Sequence, residues 1–436
     1  MAVKRLLLVL PALFMSSALA AQEQPTPAPA DLAALLREAE ANSPTLRAAA
    51  ARLEAARRIP SQVETPPDPE ASVSYVNDGL SRFTLGESEF SSLSLTWTQD
   101  LPYPGKLGRS GAVAAAGVEI AAKALERIRL EVLSAVKIAY GELYRLDQTE
   151  TILEETRSVL ESLAQSARLR YEVGQGSQES VLKAQTEILR LEVDTARVAE
   201  DRRITEARVN AGVGRPVDVT VGRASLLPEG TLPAGPGDLA EMAAGASPEV
   251  GGLMAAVGRS EASLQLARLE LKPDLVWSAS YQNRGGLDPM VTGMFGLRLP
   301  VHRARKQAQA VSQAEAELAA ARADLSDLQL RTRASVRELV ARVGRADRLI
   351  VLIGQGVIPN ATSALESARA SYGTGRVGFL DTLNDLTVLY NARLDLVSQE
   401  SDRIQALAAL EPLLGRELVT SSGGPGGEGE KDATDH

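Results

Sequence analysis

Apolar and polar residues alternate in four short segments of the chain, and this period of two predicts four β-strands. The first pair of segments covers 71–76 and 92–98, and the second covers 275–282 and 291–299. The alternation is cleanest in the second segment, where apolar side chains point to one side and serines and threonines to the other. The polar stretches inside each pair, 77–89 and 283–288, are predicted as surface loops.

A helical period of apolar residues fills most of the remaining chain. The long runs cover about 106–170, 181–209, 305–369 and a final stretch that ends near 414. A run of roughly 60 residues at 1.5 Å per residue predicts a helix on the order of 90 Å, which no compact domain holds. The run 181–209 carries apolar series on two sides, so we expect it to pack between neighbours, as in a ring of helices. A shorter helix is predicted over 31–58, with a break at 42–44, and an extended proline-rich segment over 60–69.

Two glycine-containing turns separate the long helices, and they are copies of one another. Tyr171, Gly174 and Leu182 of the first turn correspond to Tyr372, Gly375 and Leu383 of the second, each 201 residues later (372 − 171 = 201). Glycine supplies the positive φ that ends a helix in such turns. The chain is therefore predicted to be an internal duplication in which each half reads helix, strand, loop, strand and long helical hairpin.

The duplication divides the chain into five parts. We assign 1–21 to a signal peptide, 22–212 to the first repeat, 213–238 to a Gly- and Pro-rich equatorial linker, 239–418 to the second repeat and 419–436 to a disordered tail. Within the linker, a short β-like segment is predicted over 217–221.

The N-terminus has the three regions of a secretory signal peptide. Lys4 and Arg5 precede an apolar run, and Ala18-Leu19-Ala20 supplies small residues for cleavage after Ala20 or Ala21. The alternative is an uncleaved anchor helix, although the run is shorter than the ~20 residues that span a bilayer. No other stretch is expected to cross a membrane as a helix, so the mature chain is expected to be exported and either soluble or part of a β-barrel.

Composition narrows the function. The net charge of −9 argues against a nucleic-acid partner, and the absence of cysteine excludes disulfides, thiolate metal sites and a lipidated N-terminal cysteine. With two histidines in the chain and no phosphate-binding loop or nucleophile–base pair, we expect no metal site, no cofactor and no enzyme activity.

Four amphipathic strands cannot close a membrane barrel, since the smallest barrels need about eight. Open edges are not tolerated in lipid, so an exported chain with four strands is expected to share one barrel with other copies of itself. The helices are too long for the bilayer and are expected to continue into the periplasm. The predicted fold is a mixed α and β chain, with a long α-helical coiled-coil barrel and a membrane β-barrel completed by oligomerisation.

In these features the chain resembles the TolC family of outer-membrane efflux proteins over about 32–418. The resemblance rests on Ser-Pro at 43–44 and 247–248, Leu-Pro at 101–102 and 299–300, and the paired turns. The family turn has the form Tyr-x-x-Gly, five residues, then Asp-Val-Leu. The second turn matches it except for Thr382, and the first has Ser180 in place of the aspartate. The segment Leu-Pro-Tyr-Pro-Gly-Lys at 101–106 resembles the branch that works with heavy-metal exporters.

The resemblance implies a homotrimer with a twelve-stranded barrel in outer-membrane lipid and a tunnel of twelve helices. It implies two further partners, a periplasmic adaptor protein and an inner-membrane transporter of the resistance-nodulation-division class. It also implies three groups of site residues. The periplasmic gate is assigned to Asp381, Asn384 and Tyr372, with helix capping as the alternative role of Asp381. The adaptor-docking tip is assigned to Tyr171, Val173, Gly174, Thr374, Gly375 and Arg376. The lipid-facing strand residues are Leu93, Leu95, Trp97, Leu275, Trp277, Phe295 and Leu297.

The function that follows is a passive exit duct of a tripartite efflux system, carrying metal ions or drugs. Two alternatives stay open at this point. One is the outer-membrane component of a type I protein secretion system, and the other is a periplasmic coiled-coil scaffold without a pore.

Overall fold

The computed structural model describes residues 29–420 of the 436-residue chain. The signal peptide assigned to 1–21, and 421–436 of the assigned tail, lie outside the described residues.

Each repeat follows the predicted order of helices and strands. The elements of the first repeat are α1 (Leu32–Asn42), α2 (Pro44–Arg57), α3 (Ile59–Glu64), β1 (Glu70–Val76), β2 (Ser92–Leu101), α4 (Lys106–Glu172) and α5 (Gln178–Val213). The linker contains β3 (Glu229–Gly230). The second repeat contains α6 (Pro236–Ala246), α7 (Pro248–Leu269), β4 (Asp274–Arg284), β5 (Leu287–Arg298), α8 (Gln307–Leu352), a π-helical turn (Ile353–Val357), α9 (Ile358–Gly373) and α10 (Phe379–Leu414), and β6 (Val419–Thr420) follows it.

The strands of both repeats form one antiparallel sheet in the order β1-β2-β4-β5. Leu95 pairs with Val73 on one side and with Tyr281 on the other, and Trp277 pairs with Phe295. Directly paired residues share a face of a sheet. This register therefore joins the apolar positions of all four strands into one continuous face and places the serines and threonines on the other.

The helices form a layer in which α5, α4, α10 and the α8–α9 rod lie side by side. α4 packs against both α5 and α10, and α10 packs against α8 and α9. Where this layer meets the linker, buried residues from several elements form the main core, among them Tyr140, Leu143, Val209, Val336 and Leu407. A second core lies nearer the turns and includes Leu160, Leu191, Leu365 and Leu386.

A fully buried ion pair fastens α4 to α10 in the main core. Nζ of Lys137 lies 2.9 Å from both carboxylate oxygens of Glu411, and both side chains are 0% exposed. Oε1 of Glu411 also accepts hydrogen bonds from the N–H groups of Leu418 and Val419. The pair thus holds the chain segment that follows α10 against α4.

Four local predictions differ from the structure. α3 occupies 59–64, where an extended segment was predicted, because Pro60 lies at the start of a helix, a position that needs no N–H donor. The predicted strand at 217–221 is irregular, and its backbone is held instead by the side chains of Arg202, Glu206 and Asn210.

The C-terminal boundary also differs. Val419 and Thr420, assigned to a disordered tail, form β6, which pairs with β3 in the linker. The fourth difference concerns membrane helices. A stretch within Gln307–Gly373 is long and apolar enough to cross a membrane by length and composition, although no such helix was expected beyond the leader. Only 11% of that 18-residue stretch is buried within the chain.

Candidate functional site

The two hairpin turns have the same backbone geometry. Gly174 and Gly375 both have φ of 75°, the left-handed region that favours glycine. In each turn the residue after the glycine donates its N–H to a carbonyl five residues back, Gln175 to Arg170 and Arg376 to Ser371. This bond and the shorter one inside it form the Schellman motif that ends many helices. Both turns therefore end the preceding helix with the same hydrogen-bonded motif.

The residues assigned to the docking tip are all solvent-exposed in the protomer. They are Tyr171, Val173, Gly174, Thr374, Gly375 and Arg376. Their placement at one end of the layer is compatible with docking.

One contact crosses from the first turn to the second, and the sequence pattern did not point to it. Arg170, at the end of α4, donates from Nη1 to the carbonyl oxygen of Tyr372. Its guanidinium also lies over the Tyr372 ring, 5.0 Å from the ring centroid, which is a cation–π geometry. No local signal distinguishes Arg170 from the other arginines of α4, because its partner is 202 residues away in the chain.

Tyr372 is the anchor of the second turn. The residue is 7% exposed, and its ring meets Phe379 edge-on, with centroids 6.0 Å apart. Burial raises the pKa of the Tyr372 phenol, and the positive charge of Arg170 opposes that shift. The contact with Phe379 joins the end of α9 to the start of α10. The buried Tyr372 ring therefore packs between the two helices of the second turn.

The assigned gate residues occupy the first turn of α10. Asp381 and Asn384 are exposed, whereas Tyr372 lies behind them in the core. Oδ2 of Asp381 accepts the N–H of Gly378 at 3.3 Å, so this carboxylate closes a capping interaction on its own helix. In the first turn, the corresponding cap is made by Ser177, whose Oγ accepts the N–H of Ser180 at 3.3 Å. Asp381 therefore caps its own helix while its side chain stays exposed to solvent.

The sheet brings all seven assigned strand residues to one face. They are Leu93, Leu95, Trp97, Leu275, Trp277, Phe295 and Leu297, and the register places them on the same side of paired strands. Phe295 is 89% exposed, and of the seven side chains only Trp277 is half-buried. An apolar face this open is unusual for a soluble sheet and fits a lipid-facing surface.

The segment 101–106 joins the sheet to the helices. Lys106 is buried, and its Nζ lies 2.8 Å from Asp274 and 3.2 Å from Glu270, at the junction of α7 and β4. Gly105 takes φ of 95° at the start of α4. These residues therefore have a structural role at the junction between the sheet and the helices.

The described part of the chain contains no arrangement that resembles a metal centre. Within 29–420, no group of three or more acidic or histidine side chains could hold a metal ion. One cavity between helices is lined by residues of α4, α9 and α10.

The family model described as outer membrane efflux protein matches 35–215 and 239–416, one match for each repeat. The chain belongs to the outer membrane efflux protein family. No curated protein sequence matches the chain.

Solved structures share the fold of this outer membrane efflux protein. The outer membrane protein VceC from Vibrio cholerae is 20% identical, with 88% of this chain and 96% of VceC covered and a TM-score of 0.75. CusC is 17% identical, with 88% and 92% covered and a TM-score of 0.76. The outer membrane channel MtrE from Neisseria gonorrhoeae, in its open state, is 18% identical, with 89% and 90% covered and a TM-score of 0.74.

The family and the fold confirm the resemblance to the TolC family, the mixed α and β fold and the two-repeat organisation. The protein is an efflux component of the outer membrane that extends into the periplasm. Members of this family are ducts rather than enzymes, and they form trimeric channels that work with adaptors and inner-membrane transporters.

Proposed function

We propose that three copies of this chain form the exit duct of a tripartite efflux system. The observation that carries the proposal is the four-stranded sheet with its apolar face. β1 and β5 are its edge strands and have no further partner within 29–420. Backbone groups at such edges must be paired in lipid, so β5 of one copy pairs with β1 of the next until the barrel closes.

The flanks of the helical layer support the same arrangement. Within the described part of the chain, α5 packs against α4 and α1, and its opposite side has no helix beside it. Exposed apolar residues lie on α5 and on the α8–α9 rod at the other flank: Leu182, Leu189, Val193, Ile204, Leu330, Val351, Leu352 and Val357. Two different apolar flanks joined head to tail make a closed ring, and burial of both stabilises it.

In this trimer the apolar sheet face contacts lipid, and the loops of 77–91 and 285–286 lie outside the cell. The turns at Gly174 and Gly375 lie at the periplasmic end, where the adaptor docks. Asp381 and Asn384 line the entrance, so three Asp381 carboxylates surround the axis and favour cations. The inner-membrane transporter is of the resistance-nodulation-division class, and the exported compounds are metal ions or drugs.

Mass and conductance of the purified protein test the proposal together. In detergent, light scattering corrected for bound detergent should give three chains per particle, and the same particles should form channels in a planar bilayer. Because the chain has no cysteine, a single Val173→Cys variant carrying a photo-cross-linker should capture the adaptor in cells. The matched control is Val219→Cys in the linker, which should capture none.

Each alternative has its own outcome. A monomer without conductance would contradict the shared barrel and support the scaffold without a pore. A trimer that restores secretion of a protein substrate, and not resistance to metal salts or drugs, would assign the duct to type I secretion.

A further inference from the structure

The two connections that lead from the sheet into the long helices differ in length and in charge. β2 ends at Leu101 and α4 begins at Lys106, so the first connection is 102–105. β5 ends at Arg298 and α8 begins at Gln307, so the second connection is 299–306 and is twice as long. The first connection contains no charged residue, whereas the second reads Leu-Pro-Val-His-Arg-Ala-Arg-Lys.

The basic side chains of the second connection have no acidic partner in the protomer. Arg303, Arg305 and Lys306 are all exposed, and no carboxylate within 29–420 forms an ion pair with them. They directly precede the N-terminus of α8, where positive charge destabilises a helix. The first turn of α8 contains no acidic residue to offset that charge. Helix stability therefore does not explain these three residues.

The start of the other long helix shows how a basic residue is held when it has a structural role. Lys106 is buried, and its Nζ lies 2.8 Å from Asp274 and 3.2 Å from Glu270. The contrast between the two repeats leaves the positive charges of the second connection available to a partner outside the chain.

The tryptophans indicate the depth at which this connection lies. The chain has two, Trp97 and Trp277, and both lie on the apolar face in the half of the sheet that leads to the helices. Tryptophan is enriched at the boundary between a membrane and water. Arg298, the last residue of β5, pairs with Asp274, three residues from Trp277. The second connection therefore begins at this boundary.

Two apolar side chains continue the apolar surface of β5 into the connection. Leu299 is 59% exposed and Val301 is 78% exposed. They follow Leu297, which belongs to the apolar face of the sheet, at intervals of two residues. The connection thus presents apolar side chains first and positive charges next, the order of acyl chains and headgroups at a membrane surface.

The anion that is available at this depth is the phosphate of a phospholipid. Arginine matches a phosphate group with two parallel N–H donors, and lysine adds a compact positive charge. Basic residues directly beside a membrane-embedded segment attract anionic lipids. The charge and position of the connection therefore fit a negatively charged headgroup.

We propose that the connection 299–306 binds the headgroup of an anionic phospholipid through Arg303, Arg305 and Lys306, while Leu299 and Val301 contact its acyl chains. The inference rests on the proposed duct, because it needs the apolar sheet face to lie in lipid. It adds a preferred class of lipid in the leaflet that faces the periplasm, at one connection of each repeat pair.

The two tryptophans serve as reporters for the experiment, because both lie on the lipid-facing side near the connection. The full-length protein is reconstituted in phosphatidylcholine bilayers in which a fixed fraction of the lipid is brominated, either as phosphatidylglycerol or as phosphatidylcholine. Quenching of tryptophan fluorescence then measures which lipid lies beside the sheet. Phosphatidylglycerol should associate about fivefold more strongly than phosphatidylcholine, and the preference should shrink at high salt because exposed charges are screened.

Removal of the three charges tests the assignment to this connection. Arg303→Gln/Arg305→Gln/Lys306→Gln should reduce the preference for phosphatidylglycerol to less than about twofold, with quenching by brominated phosphatidylcholine unchanged.

A matched control removes three positive charges from the helices instead. Arg37, Arg47 and Arg52 of α1 and α2 are also exposed and form no ion pair within 29–420. Arg37→Gln/Arg47→Gln/Arg52→Gln should keep the wild-type preference. An equal loss of preference in this control would show that net charge, and not the connection, attracts the lipid.

The outcomes separate this inference from the proposed duct. If neither brominated lipid quenches the tryptophans, the sheet does not lie in lipid, and both the duct and the lipid site are wrong. If the two lipids quench the wild-type protein equally, the lipid-facing sheet stands and the headgroup site is wrong.

Two further results would also overturn the headgroup site. One is loss of the preference when inorganic phosphate is added at constant ionic strength, since the connection would then bind the free anion. The other is dissociation of the triple variant of 303–306 into monomers in lipid-free detergent, since its basic residues would then join neighbouring copies of the chain.

Discussion

The hairpin of the first repeat and that of the second have matching lengths and turns but different side-chain contacts. α5 and α10 both have 36 residues, begin 201 residues apart (379 − 178 = 201) and end at left-handed glycines, Gly214 and Gly415. Yet Tyr171 is 47% exposed, whereas its copy Tyr372 is 7% exposed under Arg170 and Phe379. Duplication therefore preserved the helix lengths and turns, while contacts between the copies gave each one a different task.

The far ends of the hairpins show the same divergence. Asn210 and Glu411 are equivalent and both fully buried, and each holds the chain that follows its helix. Asn210 donates from Nδ2 to the carbonyls of Val217 and Val219. Glu411 accepts from the N–H groups after α10 and needs Lys137 as a counter-charge. The two equivalent residues therefore hold the following chain by opposite hydrogen bonds, since Asn210 donates and Glu411 accepts.

The largest loss of stability is expected at the buried pair of Lys137 and Glu411. Lys137→Ala leaves Glu411 charged and buried without its partner, which should cost about 3–5 kcal/mol of unfolding free energy. Its copy Glu338 forms an exposed pair with Arg342, so Glu338→Ala should cost less than about 1 kcal/mol. Denaturant unfolding followed by circular dichroism gives both values.

A double variant sharpens this test. Lys137→Met/Glu411→Gln removes both charges and keeps an acceptor for the N–H groups of Leu418 and Val419, so most of the lost stability should return. Equal losses for Lys137→Ala and Glu338→Ala would mean that the two positions are energetically equivalent, contrary to their burial.

The next-largest loss of stability is expected at Tyr372, compared with its copy Tyr171. Tyr372→Ala empties a buried aromatic site and should cost about 3 kcal/mol, within the range for truncating core aromatics. Tyr171→Ala changes an exposed residue and should stay within about 0.5 kcal/mol. Limited proteolysis should cleave the second turn faster in Tyr372→Ala, whereas Tyr171→Ala should not change cleavage of the first turn. Similar acceleration in both variants would show that the two turns are equally anchored.

The smallest change in stability is expected at the first helical turns of α5 and α10. Asp381→Asn removes a negative charge from a helix N-terminus and should cost about 0.5 kcal/mol, with reduced cation selectivity in a planar bilayer. Ser180→Asp adds a carboxylate at the equivalent position and should raise cation selectivity. If neither change alters the reversal potential under a salt gradient, the entrance does not lie at these residues.

Much of the architecture was predictable because it depends on local periodicity. Alternation at Leu93, Leu95 and Trp97 marks a strand with one apolar face, and a run of helical period from Lys106 onwards marks a long helix. The 201-residue spacing of Gly174 and Gly375 marks the duplication. These signals use neighbouring residues or a direct copy, so they are visible without the fold.

Local exceptions were harder to predict. Pro60 begins α3 instead of an extended segment, and Val419 and Thr420 pair with the linker rather than continuing as a tail. The helix predicted over 305–369 is interrupted by the π turn Ile353–Val357, two residues before Pro359.

What the sequence by itself determined is the long helices, the four strands of the main sheet and their apolar face, the duplication and the family to which the chain belongs. What only the tertiary structure decided is which copy of each pair is buried. Arg170 meets Tyr372 across 202 residues, and Lys137 meets Glu411 across 274. Such contacts arise because α4 lies between α5 and α10 in the layer. The physical reason is that periodicity reports which side of a helix is apolar, whereas the neighbour that covers that side is selected by the packing of the whole chain.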